Sequence, residues 1–518
     1  MTAKLHLSRA TPRLIQLAVL AALIGAWYLA TKDKAINPLL LPPLPGVWRR
    51  FTGMLETGEF WPDLAITARE VAFAFAIATI LGCGAGFLAS RSRFRIRVFD
   101  PLFSSLFAIP AILVYPLYVL FFGLGEPSKI AIGATIAFFP VVLNTIAGFG
   151  NVDPLLQRAA SSMGASPRQM FFNVLLPAAA PVVLTGLRIG FILAFLSILG
   201  AETIASLDGL GHRIAAYAEA MSSDRMFATM VFVIVISFAL NGIVSAVDKR
   251  LGGGTGAGGR MIASSRRRGD RFAGPGWVRL AIVIGLLALW EIGGRWFADP
   301  LFFRALSETV AAAFQILAEP KVARAIELTF IELAIAFVFS VIVGLALGLA
   351  IGLNRFSYRA TFPVILMAYA TPQVTILPLT VLWFGIGIES KIVFGFTHGI
   401  FPIIVSVVAG VRNIDETLRR AAWSMGANRT QILWNVVFPH MMPAFFTGMR
   451  LAMAGVLLGV LLAELYVSQG GIGYYTAIFT QTFAPDKLFA LIGVLALMAI
   501  ALNELARRAE MHFSRWQG

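Results

Sequence analysis

Charge is what this sequence has least of. Asp, Glu, Lys and Arg together make up 13% of its 518 residues, about half of the ~25% usual in a soluble domain. A chain this poor in charge cannot clothe an ordinary soluble surface. Cysteine is nearly absent too. Cys83 stands alone inside an apolar run, so no intrachain disulfide can form and nothing follows about redox compartment. A phosphate-binding loop is also missing. The run GGGTGAGGR at Gly252–Arg260 has no Lys-Ser/Thr after it and no hydrophobic strand before it, so it reads as a flexible tether. The sequence therefore offers no ATP site of its own and no cofactor site.

What is abundant is apolar. Hydrophobic residues reach 58%, mean hydropathy is +0.81, and apolar runs of about 18 residues or more recur, enough to cross a hydrocarbon core of about 30 Å. The expected class is an all-α integral membrane protein in contact with lipid. The net charge of +15 needs no nucleic acid, because cytoplasmic loops of membrane proteins are rich in Lys and Arg.

One polar stretch occurs twice. RAASSMGASPRQMFFNVLLP (Arg158–Pro177) returns as RAAWSMGANRTQILWNVVFP (Arg420–Pro439), offset by 262 residues. The same offset aligns Thr67 and Glu70 with Thr329 and Glu332, Gly82 and Gly86 with Gly344 and Gly348, and Ser128 and Lys129 with Ser390 and Lys391. It aligns Pro110 and Pro116 with Pro372 and Pro378, and Glu202, Gly209 and Gly211 with Glu464, Gly471 and Gly473. Between about residues 63 and 213 no gap is needed. Hydrophobic segments alone would not align prolines, glycines and charges, so the chain is two homologous halves in tandem.

The first half carries apolar segments at about 14–31, 64–89, 101–122, 130–149, 178–204 and 227–247. The second repeats them at about 278–297, 326–353, 362–384, 391–410, 440–466 and 487–506. The first segment resembles a signal peptide, but its mid-chain counterpart cannot be one, and both are expected to be membrane helices. Gly82, Gly84 and Gly86 suit close helix approach. A piece at about 47–55 is amphipathic and suits a helix lying along the membrane. Pro110 and Pro116 are expected to kink the third span, and Pro372 and Pro378 its counterpart; these four are candidates for the pathway lining. Basic residues cluster at Arg91–Arg97, between the halves (Lys249 to Arg271) and at the tail (Arg507, Arg508, Arg515). They place both termini inside, with twelve helices and two parallel six-helix repeats. The expected domains are residues 1–250 and 277–518, joined by a basic Gly-rich cytoplasmic linker at 251–276.

In the repeated stretch, Leu155, Leu156, Ala159, Ala160 and Met163 share one helical face. The alanines keep that face low, and Gly164 permits a sharp turn at positive φ. A second short helix at about 167–173 should end near Pro177, where the chain re-enters the membrane. Such an element either lies on lipid or docks into a groove of another protein; the residues alone leave both open.

A-A-x-x-x-G-A followed by a proline, with G-x-R (Gly186/Arg188, Gly448/Arg450), Ala-Glu (Ala201-Glu202, Ala463-Glu464) and Gly-x-Gly downstream, resembles the permeases of binding-protein-dependent ABC importers of the nitrate/sulfonate/taurine type. The resemblance implies a type I ABC importer permease fold in a bacterial inner membrane, here with two permease domains fused. It implies two copies of a cytoplasmic ABC ATPase, which holds ATP and Mg, and a periplasmic or extracellular solute-binding protein. It assigns ATPase coupling to Arg158, Ala159, Ala160, Gly164, Ala165 and Pro177, and to Arg420, Ala421, Ala422, Gly426, Ala427 and Pro439. One departure stands out: the family motif usually begins with Glu, and both copies here begin with Arg.

Glu202 and Glu464, near the outer ends of the fifth helices, are pathway candidates; contact with the binding protein and capping of neighbouring helices are the other readings. Arg188 lies about 21 Å along the helix from Glu202, so the two do not pair within it. The competing function is an ion-coupled secondary transporter with parallel repeats, which needs a mid-membrane carboxylate or histidine. Candidates are few: Glu70 and Glu332 stand near helix starts, and His398 is isolated in the fourth helix of the second half, with Ile136 at the aligned position. Across the halves, Tyr115 aligns with Leu377 and Ala111 with Gln373, so an asymmetric pathway for an asymmetric solute is expected; the family resemblance implies a small organic or inorganic anion.

Overall fold

A computed structural model describes residues 10–32, 36–107, 109–250 and 276–514. The Gly252–Arg260 tether and the basic residues from Arg260 to Arg271 lie outside them. The described residues form helices and no strand. In the first half these are α1 (Ala10–Lys32), α2 (Leu44–Glu56), α3 (Trp61–Ser90), α4 (Arg93–Phe107), α5 (Tyr115–Phe122), α6 (Glu126–Gly150), α7 (Pro154–Ser162), α8 (Pro167–Gln169), α9 (Leu176–Ile204), α10 (Leu210–Glu219) and α11 (Ser223–Arg250). The second half repeats the order as α12 (Gly276–Trp296), α13 (Leu306–Ala318), α14 (Pro320–Leu353), α15 (Arg355–Ala370), α16 (Leu377–Phe384), α17 (Ile388–Arg412), α18 (Glu416–Ser424), α19 (Arg429–Ile432), α20 (Phe438–Tyr466), α21 (Ile472–Gln481) and α22 (Pro485–Ser514).

Ten of these runs are long and apolar enough to cross a membrane, and two bent pairs bring the total to as many as twelve. The architecture is the type I permease fold, present twice. In each half the second, fourth and fifth spans form the packed centre: α3, α6 and α9, then α14, α17 and α20. Close approach needs glycine here. A Cβ at Gly86 would meet Thr145 Cβ at 2.5 Å, and one at Gly348 would meet Val407 Cβ at 2.7 Å. Gly84, grouped with these by sequence, faces open space.

Two helix pairs escaped the sequence reading in whole or part. The amphipathic piece is α2, but it does not simply lie along the membrane. Val47 and Met54 are buried, and the helix packs on α11. Its counterpart α13 and the short helices α10 and α21, read as loop from their polar residues, went unrecognised. The helices α10 and α21 each start beside a glycine, Gly209 and Gly471, where local composition resembles a turn.

The third span departs most from expectation. Instead of one kinked helix, α4 and α5 meet at 75°, and α15 and α16 at 81°. Between them lie single 3₁₀ turns, Ala111–Val114 and Gln373–Ile376. Pro110 and Pro372 cap these turns with extended backbone (ψ of 102° and 99°), because proline cannot donate to a continuing helix. Pro116 and Pro378 sit in the first turn of the next helix, where no donor is needed, so they kink nothing. The prolines that lie inside helices are others, including Pro140 in α6 and Pro402 in α17.

The broken spans cross into the opposite half. Val374 and Leu379 belong to the core cluster of the first half, and Leu113, Leu117 and Leu120 to that of the second. The first helices also exchange: α1 packs on α15 and α12 on α4, with Gln16 Nε2 donating to the Arg359 carbonyl at 3.1 Å.

Candidate functional site

The repeated stretch folds the same way in both copies. Asp153 caps α7 by accepting from the Leu155 N–H at 2.8 Å, and Asp415 caps α18 by accepting from Thr417 at 2.9 Å. Each helix ends in a paired turn. Gly164 has φ of +77° and Gly426 of +79°. The N–H of Ala165 reaches the Ala160 carbonyl at 3.0 Å, and that of Ala427 reaches Ala422, also at 3.0 Å. The Ala-Ala-x-x-x-Gly-Ala spacing is thus the spacing of one helix C-terminus. Next come reciprocal capping boxes, Ser166 with Gln169 and Asn428 with Gln431.

Chain re-entry differs from expectation. The second short helix does not stop at Pro177. A π turn, Met170–Leu175, carries it straight into α9, and Leu433–Val437 does the same before α20. A proline ring crowds the carbonyl four residues back, and the wider turn makes room for Pro177 and Pro439 without a break. The expected apolar face stands open: Leu155 is 69% exposed and Met163 87%, with Leu418, Trp423 and Met425 exposed in the second copy. Arg158 and Arg420 are exposed as well, whereas Ala422 is buried.

Beneath each copy lies a cleft. In the first half it measures about 550 Å³ and is lined by Phe87, Phe149, Phe171, Phe172 and Arg168. Phe87 lies 5.1 Å from Phe149 and 5.2 Å from Phe171, centroid to centroid. Its counterpart, about 560 Å³, is lined by Arg355, Arg419, Trp423 and Arg429, and Arg355 pairs with Glu416 at 3.0 Å. The first sets two arginines, Arg91 and Arg168, among four phenylalanines; the second sets three arginines beside a single aromatic ring, that of Trp423.

At the opposite end of α6, about 30 Å away by helical rise, the buried charges gather. Lys129, fully buried, pairs with Glu70 at 2.6 Å and Asp208 at 2.5 Å. Lys391 pairs with Glu332 at 2.7 Å and donates to the Gly470 carbonyl at 3.0 Å. Alongside, Thr67 donates to Glu202 at 2.6 Å and accepts from the Leu210 N–H at 3.1 Å, while the Gly211 N–H donates to the second Glu202 oxygen at 2.8 Å. Thr329, Glu464, Ile472 and Gly473 repeat this pattern at 2.6–3.0 Å. Glu202 and Glu464 are each 1% exposed. They hold the starts of α10 and α21 and face no opening, so capping is the reading that the geometry matches.

The remaining singled-out groups are also internally bound. Arg450 pairs with Glu510 of α22 at 3.2 Å. His398 lies with Nδ1 3.0 Å from the Phe394 carbonyl and its ring against Phe394, as a bonded core histidine does.

Residues 78–253 and 340–515 each match the family described as the binding-protein-dependent transport system inner membrane component. The chain belongs to this family. The two matched regions start 262 residues apart, the offset of the repeat. The permease is 31% identical over 242 residues to the taurine transport system permease protein TauC of Escherichia coli, covering 46% of this chain and 88% of TauC. It is 29% identical over 231 residues to SsuC of Bacillus subtilis, named for aliphatic sulfonates transport (45% and 84%). With the formylaminopyrimidine transport permease protein ThiX of Halalkalibacterium halodurans it shares 27% over 221 residues (42% and 88%). Each alignment spans about one half of this permease and most of the relative, so the fusion doubles a unit that stands alone in those proteins.

Sequence reasoning aligned Lys129 with Lys391 and Glu70 with Glu332 but gave them no role. The available signal was a lysine and a glutamate held at one offset in both halves, each at the edge of an apolar segment, where an unpaired charge is expensive.

Proposed function

We propose that this permease forms the complete solute pathway of an ABC importer in one polypeptide and couples it to two copies of a separate cytoplasmic ATPase through α7–α8 and α18–α19. The observation that carries this reading is the pair of exposed, low-profile helices. Both are rigidly capped and both sit at the same end of the membrane spans. A helix held by an N-cap, a paired glycine turn and a capping box is a preformed knob. Its open Leu155/Met163 face can seat in a partner groove, and membership of the importer family favours that over lipid. ATP and Mg belong to the partner, and a solute-binding protein delivers from outside.

Both termini lie in the cytoplasm of a bacterial inner-membrane protein, in keeping with the basic cluster at Arg91–Arg97. The solute is a small anion of the sulfonate kind, by analogy with the names of TauC and SsuC. Arg158 and Arg420, in place of the glutamate usual in the family, require an acidic position at the mouth of the ATPase groove.

Pull-down of the chain from its host membranes tests this. The expected result is a stoichiometric ATPase that is lost when Gly164 and Gly426 are replaced by valine, and a charge swap of Arg420→Glu rescued by a matching basic change in the ATPase. A chain that purifies alone and moves solute on an ion gradient without ATP would overturn the reading.

A further inference from the structure

The halves meet where the third spans break, beside the 3₁₀ turns that follow α4 and α15. Five consecutive residues of α15, Leu366 to Ala370, are exposed. So are four at the end of α4, Ser104 to Phe107. Each end is covered on one side only, by ring contacts to the fourth span of its own half: Phe107 on Phe139 and Tyr369 on Phe401, each 5.7 Å between centroids. Immediately beyond, Ile112, Tyr115, Leu377 and Leu462 are buried together in one cluster drawn from both halves. The 3₁₀ turns sit at this boundary.

Their polar groups are not equivalent. The first turn is Ala-Ile-Leu-Val and the second Gln-Val-Thr-Ile. Thr375 is buried with its hydroxyl donated to the Pro372 carbonyl at 2.7 Å. Tyr115, the other polar residue that distinguishes the halves, turns into its own half and donates to the Ala205 carbonyl at 2.7 Å. It is therefore not offered to a solute. Gln373 is half-buried, and its amide oxygen is buried with no hydrogen-bond partner among the described residues. A buried acceptor left unpaired is costly and rare, and the group aligned with it is only the methyl of Ala111.

We infer that Gln373 is the residue that orients the solute where the third spans break, its amide oxygen accepting from an N–H of a small solute. This rests on the permease reading above and adds to it a single, one-sided contact. A solute bound there meets an amide on one side and apolar surface on the other, so it is held in one orientation.

The test uses the full permease–ATPase complex in membrane vesicles with Cys83→Ser, which removes the only cysteine. Gln373→Cys should react with the water-soluble reagent 2-sulfonatoethyl methanethiosulfonate at least about tenfold faster than Leu377→Cys, whose position is fully buried. Reaction no faster than at Leu377 would overturn the assignment, whatever the solute. With taurine as the probe, Gln373→Leu should raise KM about five- to tenfold, the worth of one hydrogen bond, with the yield of folded complex unchanged and Gln373→Asn partly restoring KM. Ethanesulfonate, which lacks the amine, should show no such rise. A KM for taurine that moves less than twofold in Gln373→Leu, or a wild-type complex that carries ethanesulfonate but not taurine, would overturn the contact. Loss of the co-purifying ATPase would instead mark failure of the permease reading.

Discussion

Lys391 and Lys129 occupy the same place in the two halves but do not have the same partners, and the difference has a measurable consequence. Lys391 neutralises one carboxylate, Glu332, and otherwise meets only a backbone carbonyl. Lys129 meets two carboxylates, Glu70 and the partly exposed Asp208. Removing one partner of a buried ion pair costs about 3–5 kcal/mol, because the other charge is left uncompensated. Glu332→Gln should therefore cost that full amount. Glu70→Gln should cost less than half as much, since Asp208 still faces the lysine. For a domain of about 200 residues, 1 kcal/mol moves the midpoint by about 2–4 °C, so Glu332→Gln should lower it by on the order of 10 °C. The assay is thermal unfolding of the detergent-purified permease, read by loss of the monodisperse size-exclusion peak. Adding Lys391→Met to Glu332→Gln should recover most of the loss, because a neutral pair of similar volume leaves no buried charge. Equal losses for Glu70→Gln and Glu332→Gln, or a double variant worse than either single one, would refute the reasoning.

Three further outcomes follow from the geometry. Gly426→Ala places a side chain at φ of +79°, a cost of about 1–2 kcal/mol in left-handed backbone; it should weaken ATPase recovery in pull-downs while leaving membrane insertion intact. Gly86→Leu should fail to yield folded protein, since even a Cβ there falls 2.5 Å from Thr145, and α3 cannot move off α6 without opening the packed centre; size-exclusion yield reads this directly. The Asp415 carboxyl is held below its ordinary range by the Thr417 N–H and hydroxyl. Its capping is therefore fully present above the ordinary carboxylate range and is lost as pH falls through the lowered value. Hydrogen exchange at Thr417 and Leu418, corrected for intrinsic rate, should show α18 fraying only at that acidic limit.

The readable parts of the fold were those written in periodicity and spacing. Hydrophobic length located the spans, and one offset, carried by residues such as Gly164 and Gly426, exposed the repeat. Helix α7 was legible because its cap, turn and face are all local. The broken third spans were not. Pro372 announces a break, but whether the chain kinks or turns through 81° depends on the opposite half, which receives Val374 and Leu379 in its core. No local pattern encodes that. Capping was one of three readings open for Glu202, and the sequence could not choose among them: its partners Thr67 and Gly211 lie 135 and 9 residues away, and only the fold brings them together.

Fusion gives the asymmetries a common logic. Two identical half-length chains around a twofold axis would place every side chain at the seam twice. A tandem chain lifts that constraint, and several departures from symmetry lie on exposed surface or at the seam. Ser161 becomes Trp423, 65% exposed on α18. The four phenylalanines of the cleft beside Phe171 give way, beside Leu433, to Trp423 and one more arginine. Ala111 becomes Gln373 at the seam. The helix-packing positions, by contrast, keep their identity: Gly82 and Gly344, Gly86 and Gly348, Thr67 and Thr329. Divergence at contacts alongside identity in the core is the pattern expected when the two halves must fold alike but bind differently. If that reasoning is right, exchanging α18–α19 for a second copy of α7–α8 should leave the protein folded and change only how the ATPase engages.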